Sequence, residues 1–181
     1  MKRLRNSASV IALVAASAMF TTACEEPKVD AAIYETLQQC LKDINMVRSD
    51  CEKNYNAARQ QHATVAPKFA SKQECETEFG AARCEQAPQR TSSGGSMFMP
   101  MMMGYMMGSM LSGRTGAASQ PLYRSKDDKN SFRTADNKKV GNTIGRTQVA
   151  RSSTRAPSMK SSTVSRGGFG ARARSFGSVA G

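Results

Sequence analysis

AAIYETLQQCLKDINMVR, residues 31–48, carries Ile33, Leu37, Cys40, Leu41, Ile44 and Val47 at steps of three and four. That spacing places them on one stripe of a helix and turns Glu35, Gln38, Lys42, Asp43 and Asn45 away from it, so an amphipathic helix is predicted over 31–48. Ser49 with Glu52 three residues on has capping-box spacing, which starts a second helix running to His62 with Cys51, Tyr55 and Ala58 inside. Pro67 breaks it. Ser71 with Glu74 marks a third, short helix through Cys75 and Phe79 that stops at Gly80. The fold class expected from this reading is mainly α, a small helical module over residues 31–88.

A module of some sixty residues with few large apolar side chains buries little surface, and a core of that size seldom suffices alone. Covalent staples are expected from Cys40, Cys51, Cys75 and Cys84. Three pairings are open. A tight turn near Ser49 sets Cys40 and Cys51 on different levels of a helical hairpin, which favours bridges from each into the 75–84 segment. Zinc is disfavoured because intervals of ten, twenty-three and eight residues lack the close cysteine pairs of structural zinc sites.

The compartment is written at the amino terminus. Lys2, Arg3 and Arg5 form a positive region and residues 10–20 an apolar run, followed by Thr21-Thr22-Ala23. A run of eleven residues falls short of the roughly 20 needed to span a bilayer, so residues 1–23 read as a removable signal peptide. Ala23-Cys24 resembles the end of a bacterial lipobox, making Cys24 the candidate lipid-attachment residue and 24–30 its tether. Thr21 stands where such motifs carry Leu, so a plain cut after Ala18 is the alternative. Glu25, rather than Asp, after the anchor points to the outer membrane, facing the periplasm.

Beyond a Ser/Gly linker at 89–96 lies an apolar segment, 97–113, in which eight of the fourteen residues from 97 to 110 are methionine. Small residues at Gly104, Gly108, Ser112 and Gly116 would form a groove along one helical face. The segment is too short to span a membrane and contains Pro100. Met97, Met99, Met101, Met102, Met103, Gly104, Met106, Met107, Gly108 and Met110 are therefore candidates for contact with a membrane, a partner helix or a second copy. Thioether sulfur is also a soft ligand, and Met97, Met99 and Met101 could present three sulfurs to Cu(I) or Ag(I). Oxidant scavenging by these sulfurs is a further possibility.

Charge divides the chain sharply. Residues 24–96 hold nine basic and eleven acidic side chains, whereas 114–181 hold fourteen basic and three acidic. The latter stretch is rich in Ser, Thr, Gly and Arg and shows no sustained period, so it is expected to be a disordered basic tail. Arg166, Arg172 and Arg174 are its candidate anion-binding residues. Their setting around Phe169 also fits RNA-binding Arg/Gly segments, but an exported chain meets lipopolysaccharide, phospholipid or peptidoglycan instead, and nucleic acid is not expected.

Several strings together resemble the enterobacterial YgiB/YjfM family: Ala66-Pro67-Lys68-Phe69-Ala70, Cys75, Glu78-Phe79-Gly80, Cys84, Ala87-Pro88, Met99-Pro100, Gly104-Tyr105-Met106-Met107-Gly108, Gln120-Pro121-Leu122 and Arg166-Gly167-Gly168-Phe169-Gly170. The resemblance spans residues 35–170. It implies an exported, lipid-anchored protein of Gram-negative envelopes and supplies no catalytic residues.

Candidates for catalysis are few. His62 is the single histidine, on a Gln/Ala-rich helix end, and reads as solvent-facing; Glu74, Glu76 and Glu78 read as a solvated helix face. No Cys-x-x-Cys pair exists. The expectation is a non-enzymatic envelope lipoprotein without a cofactor.

Overall fold

The computed structural model describes residues 26–90, 94–108 and 119–157. Residues 31–48 do not form one helix. Their beginning completes a strand, β1 (Lys28–Tyr34), and helix α1 is confined to Leu37–Leu41. Thr36 sets the break: its backbone is extended (φ −135°, ψ 157°), and its hydroxyl accepts a hydrogen bond from the Gln39 N–H at 3.2 Å.

The strand β1 lies inside a four-stranded antiparallel sheet. It sits between β4 (Gly104–Gly108) and β8 (Gly145–Ala150), with β5 (Gln120–Leu122) beyond β4. Ala31 faces Gly108 and Tyr34 faces Tyr105 on one side, while Lys28 faces Ala150 and Ile33 faces Gly145 on the other. Both faces of the sheet are covered. Ala32, Tyr34, Tyr105 and Met107 gather with Cys40, Cys51 and Ala58 of the helical side. Ala31, Ile33, Met106 and Val149 gather with Leu122 and Phe132 on the opposite face. A strand buried on both faces reads as a continuous apolar run, which periodicity does not distinguish from a helix.

Helix α2 (Arg48–Val65) starts one residue before the expected capping box. Val47 occupies the cap without a side-chain bond, so Ser49 and Glu52 do not act as a box. Helix α3 (Lys72–Phe79) is as expected: the Ser71 hydroxyl accepts from the Glu74 N–H, and Gly80 ends it at φ +103°. It packs on a hairpin of β2 (Cys84–Arg90) and β3 (Ser96–Pro100), to which Phe69 adds a two-way backbone bridge with Phe98 at 2.8 and 2.9 Å. Ala66, Phe69, Phe79, Ala87, Met97, Met99 and Tyr123 fill this third cluster. A small hairpin of β6 (Phe132–Arg133) and β7 (Lys139–Gly141) caps the sheet face that carries Ile33, Met106 and Val149, and a 3₁₀ turn (Arg151–Thr154) follows β8.

The fold class is thus corrected from mainly α to mainly β, with three α-helices among the described residues packed on antiparallel sheets. Residues 119–157, expected within a disordered tail, supply β5 to β8. Of these, β5, β6 and β7 are two or three residues long, too short to register a period of two.

The disulfides are local. Cys40 pairs with Cys51 and Cys75 with Cys84, with Cα separations of 5.8 and 6.1 Å. The expected bridges from Cys40 and Cys51 into residues 75–84 are absent because the cysteines belong to two different clusters, Cys40 and Cys51 to one with Ala58 of α2 and Cys75 and Cys84 to another with Phe79 of α3. Closing loops of this length contributes about 2–3 kcal/mol each.

Candidate binding cleft

The six residues between α1 and α2, 42–47, form a loop held at both ends and in its middle. The Cys40–Cys51 disulfide joins the flanking helices. Asp43 holds the centre: one carboxylate oxygen accepts from the Tyr34 hydroxyl at 2.7 Å and the other from the Asn45 N–H at 2.9 Å. Those bonds, the tyrosine's first, keep the Asp43 carboxyl below the usual carboxylate range. So braced, the loop presents Ile44 at 96% exposure and Val47 at 61%. Both were expected on a core-facing helical stripe; the break at Thr36 and the turn after Leu41 carry them outward.

Under this loop opens a cleft of about 200 Å³. Its walls are Asp30, Ala31 and Ala32 of β1, Met107 and Gly108 of β4, Asn45, Met46 and Val47 of the loop, Asp50 of α2 and Arg146 of β8. The apolar floor and the charged rim come from five segments that only the sheet order brings together. Asp30 accepts from the Gln148 amide at 3.3 Å. The side chains of Asp50 and Arg146 hold no hydrogen bond or ion pair among the described residues.

A second polar group lies deeper. His62, expected to face solvent, is buried between α2 and β2: Nδ1 is 2.9 Å from the Tyr123 hydroxyl and Nε2 is 3.0 Å from Glu85 Oε1. A carboxylate accepts but does not donate, so Nε2 carries the proton in the neutral ring and Nδ1 accepts from Tyr123. Burial lowers the His62 pKa against the opposing pull of Glu85, and burial raises that of Tyr123 well above its ordinary value. Nearby, Lys68 donates to the Ala63 and Ala66 carbonyls at 2.9 Å each and so ties down the end of α2; burial lowers its ammonium to about 8. These contacts join elements of the core.

The methionines expected at a membrane or partner surface mostly belong to that core. Met97, Met99, Met106 and Met107 are buried, as are Gly104 and Gly108; Gly104 meets the Phe132 ring and the Tyr34 carbonyl rather than another helix, and Gly108 lines the cleft. Met102 and Met103 are half-buried and Met101 is 41% exposed in the turn between β3 and β4. The three sulfurs imagined around a soft metal therefore divide, two into the α3 cluster and one onto a loop. Cys24, Met110, Arg166, Arg172 and Arg174 lie outside the described residues. Among the described residues no helix is long and apolar enough to cross a membrane.

The family model described as a protein of unknown function, DUF1190, matches residues 28–179, which include every strand and helix above. The chain belongs to the DUF1190 family. Its relatives include a UPF0441 protein of Pectobacterium carotovorum, 34% identical across 88% of this chain and 78% of that protein. Another is a UPF0441 protein of Erwinia tasmaniensis, 35% identical over the same shares. A third, from Yersinia enterocolitica, is 34% identical across 88% of this chain and 79% of its own length. No solved structure gives a significant match. For this DUF1190 member, sequence reasoning missed Asp30, Asp50 and Arg146 as one site. No local signal joins them, since the site exists through the pairing of β1 with β8 and the fold of the stapled loop.

Proposed function

We propose that this DUF1190 protein is of the YgiB/YjfM type, an exported, non-enzymatic binding protein of the Gram-negative envelope. In this reading it is anchored through lipid on Cys24 to the outer membrane and faces the periplasm. The cleft and its stapled loop are the recognition surface, and Arg166, Arg172 and Arg174 engage phosphates or carboxylates of lipopolysaccharide or peptidoglycan.

The observation that carries this reading is the pair of disulfides whose four cysteines are all buried, each bracing one of the small clusters. Disulfides of this structural kind persist in oxidising compartments and are rare where glutathione keeps thiols reduced. The signal-like residues 1–23 agree with that address. A binding rather than catalytic role is supported by the burial of His62 and Tyr123, which hydrogen-bond to each other in the core and are closed off from a substrate, while the half-exposed Glu85 carboxylate holds the other ring nitrogen.

Labelled palmitate is the test. It should enter the wild-type protein in the outer-membrane fraction and not Cys24→Ser. Recovery of the polypeptide in the cytosol with residues 1–23 still attached would refute the reading.

A further inference from the structure

We propose that the cleft beneath the stapled loop binds a small zwitterion, a free amino acid or dipeptide with an apolar side chain, its ammonium held by Asp50 and its carboxylate by Arg146. This deepens the proposed binding role and rests on it.

Charge is the first argument. Asp50 and Arg146 line one cleft and carry opposite charge; neither side chain makes a hydrogen bond or close ion pair with a described residue, and the exposed Arg146 guanidinium feels only the more distant charge of Asp43. Asp50 is half-buried in the first turn of α2, where the helix end favours a negative charge, and its carboxylate is left to accept hydrogen bonds from a ligand. A cationic ligand alone would leave Arg146 opposed, and an anionic one would meet Asp30 and Asp50. A ligand carrying both signs satisfies the two poles at once through charge-assisted hydrogen bonds.

Size is the second. Sites for drug-sized ligands run to roughly 300–1,000 Å³. At about 200 Å³ this cleft suits something smaller. Met107 with Ala31 and Ala32 supplies a floor on which one aliphatic side chain can rest, Met46 and Val47 line the loop side, and methionine adapts to the shape of what it covers. The loop above is fixed by Cys40–Cys51 and by Asp43, so the pocket exists before the ligand arrives and ordering costs little.

The experiment is an NMR titration of the full mature chain, both disulfides formed, with leucine and with alanyl-leucine. N-acetyl-alanyl-leucine and alanyl-leucine amide serve as single-charge controls. The expected result is saturable shifts of the Ala31, Val47, Met107 and Gly108 amides with one or both zwitterions, and binding about tenfold weaker when either charge is blocked. Which zwitterion binds more tightly distinguishes amino acid from dipeptide. In Asp50→Asn the penalty for acetylation should vanish, and in Arg146→Gln the penalty for amidation, while both variants keep the wild-type spectrum elsewhere. The proposal is overturned if neither zwitterion gives saturable shifts at about 10 mM, or if the blocked forms bind equally well. Failure here leaves the palmitate result standing, and failure of the palmitate test leaves this titration readable.

Discussion

Gly104→Ala is the substitution whose sign separates the two ways of reading the methionine segment. In the structure Gly104 opens β4 directly beneath Phe132. A Cβ built there would lie 2.9 Å from Phe132 Cε1 and 3.0 Å from the Tyr34 carbonyl oxygen. Neither neighbour gives way easily. The carbonyl is backbone of β1, in register with β4 at Tyr34 and Tyr105. The Phe132 ring is fully buried, and the Arg124 guanidinium lies 4.0 Å from its centroid while pairing with Glu35 at 2.7 Å. Overpacking of this kind costs about 1–3 kcal/mol. Alanine also restricts the unfolded chain, which returns about 0.4–1 kcal/mol, so a net loss of about 1–2 kcal/mol is expected. Were residues 97–111 helical, the same change would remove a helix-weakening glycine and stabilise by about 1 kcal/mol. Urea unfolding of the oxidised protein, followed by far-UV circular dichroism, measures the difference. A lower midpoint with an unchanged slope is the expected result; an unchanged or higher midpoint refutes the packing described for β4.

Two further outcomes follow from single side chains. Burial depresses the His62 pKa, so the unfolded chain takes up a proton more readily than the folded one; the stability of the neutral ring is full above about pH 6.5 and is lost as pH falls through the lowered folded value. Urea midpoints at about pH 7.5 and pH 5.5 should therefore fall more steeply for the wild type than for His62→Gln, and equal slopes would contradict the buried assignment. Ile44→Ser should change stability by less than about 0.5 kcal/mol, since the side chain is almost wholly in solvent, whereas a core position on a helical stripe would cost several-fold more.

How much of this was legible in the sequence depends on whether the signal was local. Ser71, Glu74 and Gly80 mark α3 at both ends by chemistry that needs no tertiary partner. The run from Ala31 to Tyr34 carries no such mark: burial on both faces erases the polar alternation that would announce a strand, and Leu37, Cys40 and Leu41 continue an apparent helical stripe through Thr36. The methionine segment misled for the same reason, since Tyr105 and Met107 face the helices while Met106 faces Phe132. For β5 to β8, composition argued for disorder, yet Gln120, Phe132 and Val149 are buried by strands distant in sequence, and Gln120 donates to the Ser153 carbonyl at 3.0 Å. The cysteines were recognisable as staples, but their pairing depended on which cluster each helix joins. Of the cleft, the sequence held the residues without the register that assembles them.

Those pairings offer the most direct test of the whole account, because the two clusters, the stapled loop and the oxidising address all depend on them. Cells should be alkylated before lysis and the protein digested under non-reducing conditions for peptide mass mapping. The account predicts one linked species containing Cys40 and Cys51 and another containing Cys75 and Cys84. A species joining Cys40 or Cys51 to Cys75 or Cys84, or alkylation of all four thiols, would contradict it.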